Sequence, residues 1–379
     1  MHRLLFALLL LALLAGAFPQ TAFAGDPLCL PGPYPVNEDC LPYGSWAYFA
    51  ELAQLGITLP PQPLSYTVPD LNLSLVPYYY GKVNTGRGGA QVPVFASIED
   101  AQKGKTVLRY LEPGFDYVSY IDVQVIDGKK FYMIQPGEWM RGGDVSGGVA
   151  VSQFMGLQFT ATPERKFGWV LQAKDARQSP SGEAAPNGQQ FVRWDLIQVY
   201  DTREAEGLTW YMVGPDAWID SKDTALVYPA AAPPAGVENG RWIEVNLFEQ
   251  TLSVYQDNHL VYATLLSSGV PGFWTRPGLF QIREKLETTP MRGSFEADRS
   301  DYYYLEDVPW TMYFDEARAL HGAYWHTKFG YEQSHGCVNL STGDSRWIFD
   351  WAVLGDWVYV WDPSGVTPED PSLYGSGGA

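Results

Sequence analysis

The sequence predicts a mainly β protein, with two small β barrels of one repeated design followed by a larger β sandwich carrying one packed helix. Three observations predict it. The 379 residues include 38 Gly and 28 Pro beside 14 Trp, 24 Tyr and 18 Phe, a composition that suits short strands and tight turns better than a helical bundle. Residues 79–228 hold two diverged copies of one aromatic strand, turn and strand pattern. Residues 240–362 alternate apolar and polar with period two over several short runs, and only one stretch has helical periodicity.

The charge balance excludes some functions. With 25 Lys and Arg against 43 Asp and Glu, the formal charge is −18. A sequence-independent nucleic-acid binder, or a protein docking on anionic lipid, needs the opposite sign. At 46% hydrophobic and 18% charged, the chain is not a solvated disordered one. The first 24 residues stand apart from the fold. Arg3, the apolar run Leu4 to Ala15 and the small residues of Ala22-Phe23-Ala24 read as a secretory signal peptide cleaved after Ala24, with an uncleaved membrane anchor as the alternative. The run is shorter than the roughly 18 residues that span a bilayer. The mature protein is expected to be secreted, either wall-associated or periplasmic, with no membrane contact after cleavage.

Residues 25–78 form a lead-in with a helix near Trp46 to Leu55 and a proline-rich linker. Cys29 and Cys40 lie in its Pro/Gly-rich opening, where a disulfide would staple a segment with little core. Cys337 is then the odd thiol. Pairing of Cys337 with one of the other two is the alternative, and its local sequence argues against it. The first module covers 79–148 and the second 149–228. Phe131-Tyr132-Met133-Ile134, Pro136, Glu138 and Trp139-Met140 in the first match Trp210-Tyr211-Met212-Val213, Pro215, Asp216 and Trp218-Ile219 in the second. These modules resemble the bacterial SH3-like domains of secreted wall-associated proteins. The resemblance implies attachment to cell-wall polymer through an aromatic groove; the alternative is that these aromatics are the cores of two spacer barrels. A linker over 229–239, rich in Ala and Pro, ends the pair.

In the last block, strands are expected at 241–247, 251–255 and 260–264 as an antiparallel set, then at 278–282, 311–314 and 357–361. The helix spans 342–353. Ser341 with Asp344 reads as a capping box, Trp347, Ile348, Trp351 and Ala352 share one face, and Gly355 ends it. The stretch 284–310 reads as a long loop, with a lid or an ordinary tyrosine-packed excursion as its two interpretations. The tail 363–379 reads as disordered.

This block carries the reactive residues. His321-Gly322 is followed by Ser334-His335-Gly336-Cys337-Val338-Asn339. A thiol attacks a carbonyl as thiolate, so it needs an imidazole or a positive backbone field nearby. Glycines beside both residues let backbone approach the reaction centre and free N–H groups for an oxyanion. His321, His326, His335 and Cys337 could together supply zinc ligands, but no pair has a zinc-finger or zincin spacing, and no metal or other cofactor is expected. His326 rivals His321 as base. Five residues apart on a continuing strand, the two would face opposite ways.

The His-Gly, spacer, Ser-His-Gly-Cys-Val-Asn pattern resembles the signature of the L,D-transpeptidases, the YkuD family of cell-wall enzymes. The likeness extends through Thr275-Arg276-Pro277-Gly278, Pro290-Met291-Arg292-Gly293, Val308-Pro309, Tyr324-Trp325-His326 and Phe329-Gly330. It implies a cysteine enzyme acting on peptidoglycan stem peptides as donor and acceptor. Cys337 would attack the carbonyl of the third stem residue, expelling D-alanine and leaving a thioester. His321 would be the base, oriented by the Gly322 carbonyl, and the amides of Gly336 and Cys337 would hold the oxyanion. His335 would shape the nucleophile loop. Ser334, Asn339, Tyr313, Trp325, His326, Met291 and Arg292 would contact substrate, Arg292 by pairing with a carboxylate. An amine acceptor would give a cross-link, water an L,D-carboxypeptidase and a protein lysine anchoring to the wall, and carbapenems would acylate the thiol. A wall-binding protein without catalysis is the alternative from another class.

Overall fold

The computed structural model describes residues 64–84, 89–294 and 298–375. The expected signal segment, the helix near 46–55 and the Cys29–Cys40 pair lie outside these residues. The described chain divides into two compact units: one holds 174–191 and 199–221, the other 64–173, 192–198 and 222–375.

The first repeat contains β1 (Tyr79–Val83), β2 (Val92–Phe95), α1 (Ile98–Lys103), β3 (Val107–Leu111), β4 (Phe115–Tyr120), β5 (Asp122–Ile126), β6 (Lys129–Gln135), β7 (Glu138–Arg141) and β8 (Val145–Gly147). After β9 (Leu157–Gln158), the second contains β10 (Phe167–Val170), β11 (Lys174–Arg177), β12 (Pro186–Phe191), β13 (Leu196–Gln198), β14 (Asp201–Ala205), β15 (Leu208–Gly214), β16 (Ala217–Asp220) and β17 (Thr224–Val227). The repeat read in the sequence is a repeat of topology. Each copy forms a five-stranded antiparallel sheet, in the order β3-β2-β7-β6-β5 and β12-β11-β16-β15-β14. Each also supplies a run of three strands, β4-β1-β8 and β13-β10-β17. The turns after Pro136 and Pro215 match too. Gly137 and Asp216, one residue on in each, both take positive φ, +83° and +50°. Phe131, Trp210 and Trp218 are all buried, so these matched aromatics are core residues.

The last block contains β18 (Trp242–Asn246), β19 (Thr251–Gln256), β20 (His259–Leu265), β21 (Gly278–Gln281), β22 (Glu284–Gly293), β23 (Tyr303–Asp315), β24 (Arg318–Gly322), β25 (Val338–Leu340), α2 (Thr342–Trp351) and β26 (Trp357–Trp361). One sheet runs β21-β26-β18-β19-β20-β9, with β18, β19 and β20 antiparallel as expected. The other runs β25-β24-β23-β4-β1-β8, with β22 paired on β23. A single core joins them. Ile243, Val245, Leu252 and Val254 from the first sheet meet Met312, Phe314, Leu320 and Val338 from the second, and Ile348 and Ala352 of α2 complete it. Apolar burial of this kind contributes about 25 cal/mol per Å² and makes the period-two strands pack as a sandwich.

Three local outcomes differ from the sequence reading. Residues 284–310 are largely a hairpin, with β22 and β23 antiparallel from Glu284 opposite Tyr313 to Gly293 opposite Tyr303. No alternation marks Glu284 to Thr289, and Pro290 and Pro309 suggest a break, which is why the run reads as a loop. The strands β4 and β1, read as part of a separate barrel, pair into the sheet of the last block, where Phe115 lies opposite Tyr303 in parallel register. Side chains reinforce this seam: Tyr80 stacks on Tyr324 with centroids 3.5 Å apart, and its hydroxyl donates to the Asp307 carbonyl at 2.9 Å. Finally, residues 371–373 form a 3-10 turn, and the Gly375 carbonyl accepts from Arg318 Nη2 at 3.0 Å.

The helix α2 ends two residues earlier than its apolar pattern suggests. Ser341 caps it, its Oγ accepting the Asp344 N–H at 3.0 Å. Asp344 turns inward instead of completing the box. Its carboxylate accepts from Gly156 N–H at 2.7 Å, Tyr262 O–H at 2.7 Å and Thr264 O–H at 2.5 Å.

Candidate active site

Strands β24 and β25 lie side by side in parallel, with Leu320 opposite Val338 and His321 opposite Asn339. Because side chains alternate, Leu320, Val338 and Leu340 enter the sandwich core while His321 and Asn339 face the other way. Cys337 precedes the strand by one residue, on the parity of Asn339. Cys337, His321 and Asn339 accordingly line one cavity of about 340 Å³. Ser334, His335, Trp325, His326 and Met291 also line it. Of the expected substrate contacts, Tyr313 and Arg292 do not: Tyr313 packs half-buried in the cluster that holds Cys337, and Arg292 is exposed on β22, next to the inward Met291.

The loop that carries Cys337 is held by two hydroxyls, those of Ser334 and Thr275. Ser334 Oγ donates to the Cys337 carbonyl at 2.6 Å and accepts the Gly336 N–H at 3.1 Å. One of the two amides expected to hold an oxyanion therefore already has an acceptor, and the Cys337 amide is the remaining candidate. Thr275 Oγ1 donates to the Gly336 carbonyl at 2.9 Å and accepts the Gly269 N–H at 3.0 Å. Gly336 has φ +117°, in a region that favours glycine, and a Cβ there would lie 3.3 Å from Arg318 Nε. His335 packs between Phe273 and Tyr303, stacking on Tyr303 with centroids 5.6 Å apart.

Behind the loop, Asp315 joins two arginines. It accepts from Arg276 Nε at 2.9 Å and from Arg318 Nη1 at 3.0 Å. The Arg318 charge and the backbone of Ala319 both favour the Cys337 thiolate, but burial dominates and pushes the thiol up to about 11. Burial likewise lowers His321 to about 4, against the opposing pull of the Gly322 carbonyl. At neutral pH the free site thus holds a thiol and a neutral imidazole.

The tautomer of that imidazole follows from its partner. His321 Nδ1 lies 3.3 Å from the Gly322 carbonyl, which can only accept, so Nδ1 carries the hydrogen and Nε2 keeps its lone pair. Gly322 itself is glycine for packing: a Cβ would come within 2.7 Å of Ser345 Oγ and 3.0 Å of the Pro309 ring.

His326 returns to the same cavity as His321. The strand stops at Gly322, so the alternation that would separate them lapses. Its nitrogens are both engaged, however. Nδ1 accepts the Lys328 N–H at 3.2 Å, and Nε2 lies 3.0 Å from the Asn339 amide. With Nδ1 accepting, Nε2 carries the hydrogen, and the amide is best satisfied with Oδ1 toward it. That orientation also gives a donor to Asn339 Oδ1, which is otherwise buried and unpaired. His326 is thereby a positioned donor, and His321 is the histidine with a free basic nitrogen. Among the described residues, no three His, Cys, Asp or Glu side chains group as a metal site.

A buried Cys just before β25 and a buried His on the adjacent parallel strand β24, with a backbone carbonyl orienting the imidazole, fit thiol acyl transfer. Residues 240–360 match the YkuD family, the L,D-transpeptidase catalytic domain. A curated Bacillus subtilis (strain 168) protein named as an L,D-transpeptidase, YciB, is 24% identical over 127 residues, or 29% of this chain and 59% of that protein. The chain thus spans less than two thirds of that relative's length. An L,D-transpeptidase structure from Stackebrandtia nassauensis is 27% identical, covers 35% of this chain and 60% of that one, and gives a TM-score of 0.27. The catalytic domain of the E. faecium L,D-transpeptidase is 26% identical and covers 33% of this chain and all of that one, with a TM-score of 0.30.

Several residues around this site carry no mark of it in the sequence. Thr275 and Arg318 carry no local signal for their roles, because the contacts they make are set by strand order. Phe115, which also lines the cavity, lies some two hundred positions before Cys337. Tyr303 and Leu305 line it too, through the hairpin that reads as a loop.

Proposed function

We propose that this protein is an exported cysteine L,D-transpeptidase of peptidoglycan. The observation that carries the reading is the shared cavity of Cys337 and His321, with Nδ1 of the histidine held on the Gly322 carbonyl. As a peptide carbonyl approaches, His321 Nε2 takes the thiol proton while Sγ bonds to the carbonyl carbon of the third stem residue. The C–N bond to D-alanine then breaks, the proton passes to the departing amine, and a thioester remains. An acceptor amine attacks the thioester, loses its proton to His321 and forms the cross-linking amide as the S–C bond breaks. The Cys337 amide supports the oxyanion in both halves, and Asn339 and His326 present polar groups to substrate.

Met1 to Ala24 acts as a removed export signal, and the reaction takes place at the wall. The two repeats are SH3-like modules. Incubating the mature protein with a tetrapeptide muropeptide and weighing the products tests the reading. Loss of one D-alanine with a new third-residue cross-link supports it, tripeptide alone would reassign it as a carboxypeptidase, and unaltered substrate contradicts it.

A further inference from the structure

Among the described residues lining the Cys337 cavity, Phe115 alone comes from outside the transpeptidase domain. It opens β4 of the first repeat, and its place is built into the backbone. Its N–H donates to the Tyr302 carbonyl at 2.9 Å, and its register partner is Tyr303. The preceding residue allows that approach. A Cβ on Gly114 would sit 2.3 Å from the Tyr302 carbonyl oxygen, so a larger residue would push β4 off the hairpin. The Phe115 ring rests on Tyr117, with centroids 5.1 Å apart, and remains 44% exposed. An aromatic ring lining the thiol cavity, left half in water on a strand fixed on both sides, offers apolar surface to a ligand beside the Lys82 ammonium, which lies 5.8 Å from its centroid.

We infer that the first repeat is part of the substrate cleft, with Phe115 forming an apolar wall, together with Met291, Tyr303 and Leu305, against the aliphatic carbons of the stem peptide. This rests on the transpeptidase reading for the identity of the peptide, but the wall itself can be tested without it. The repeat is then a specificity element for the reaction, where a spacer would leave turnover indifferent to it.

Two readouts decide it. In steady-state D-alanine release from a tetrapeptide stem, Phe115→Ala should raise KM about tenfold while kcat changes far less, and Phe115→Leu should recover most of the loss. A defect confined to kcat, or an unchanged KM, overturns the inference. Independently, Cys337 is alkylated with N-ethylmaleimide and with N-phenylmaleimide. Phe115→Ala should lower the phenyl-to-ethyl rate ratio about threefold or more, by removing the ring on which the aryl group packs. If the wild-type protein releases no D-alanine, the functional reading fails and this ratio alone decides. A ratio that the substitution leaves unchanged then overturns the wall.

Discussion

His321 Nδ1 sits 3.3 Å from the carbonyl oxygen of its own neighbour, Gly322. A backbone carbonyl thus does the orienting work that a carboxylate does in other nucleophile–histidine sites, without adding a negative charge that would raise the imidazole pKa. His321→Gln should slow Cys337 acylation by about 10²- to 10⁴-fold, the usual worth of a positioned base. His326→Gln, which loses a positioning contact, should cost about tenfold or less. Single-turnover acylation rates for the two variants check the assignment, and a larger loss at His326 would reverse it.

The resting protonation states give a pH signature. With the thiol pushed up to about 11 and His321 down to about 4, iodoacetamide alkylation of Cys337 should keep rising through pH 9 and 10. A thiolate–imidazolium pair would instead give a plateau from mildly acidic pH, so the shape of the profile is decisive.

Folding stability should carry the imbalance of His321 as well. Its folded value lies below the unfolded one near 6.5, so the unfolded chain binds the proton first as pH falls. The stability it contributes is complete above about 6.5 and is lost as pH falls through about 4. Buried carboxyls Asp116, Glu244 and Glu306, raised to about 7, act in the opposite direction, losing stability as pH rises. Comparing wild type with His321→Gln isolates the histidine: the difference in Tm should shrink on going from pH 7 to pH 4.

The nucleophile loop should be sensitive to one hydroxyl. Ser334→Ala removes the donor to the Cys337 carbonyl and the acceptor of the Gly336 N–H together. We expect a loss of about 1–3 kcal/mol in urea unfolding and slower acylation by Cys337. A variant of unchanged stability and rate would remove Ser334 from the account.

Asp344 should be the most costly single change outside the site. Asp344→Ala leaves the Gly156 N–H and the hydroxyls of Tyr262 and Thr264 without their shared acceptor in a fully buried place. A loss of about 3 kcal/mol or more is expected, and Asp344→Asn, which keeps an acceptor oxygen, should lie between.

Much of this was legible in the sequence because it depends on local pattern. Val245 and Ile243 alternate with polar neighbours, Ser341 caps α2, and the matched turns at Pro136 and Pro215 mark the repeat. Cys337 and His321 stand out in the sequence by their flanking glycines, and the two line one cavity, although Gly322 is needed for packing on Ser345 and Pro309. What was hidden depends on which strands become neighbours. The hairpin of β22 and β23 lacks apolar alternation along Glu284 to Thr289, and the pairing of Phe115 with Tyr303 joins residues far apart in sequence. The inward turn of Asp344 is of the same kind, since its three donors come from two distant segments, Gly156 and the strand β20. Strand parity separates His326 from His321 only on a continuing strand, and β24 stops at Gly322.

In the proposed mechanism Cys337 carries the acyl group. Intact-mass analysis of the mature protein, quenched in acid during turnover of a tetrapeptide stem, tests it directly. The expected result is a mass increase equal to the donor acyl group, mapped to the peptide containing Cys337 and absent in Cys337→Ala, which should release no D-alanine. Release of D-alanine by Cys337→Ala, or an adduct on any other residue, would contradict it.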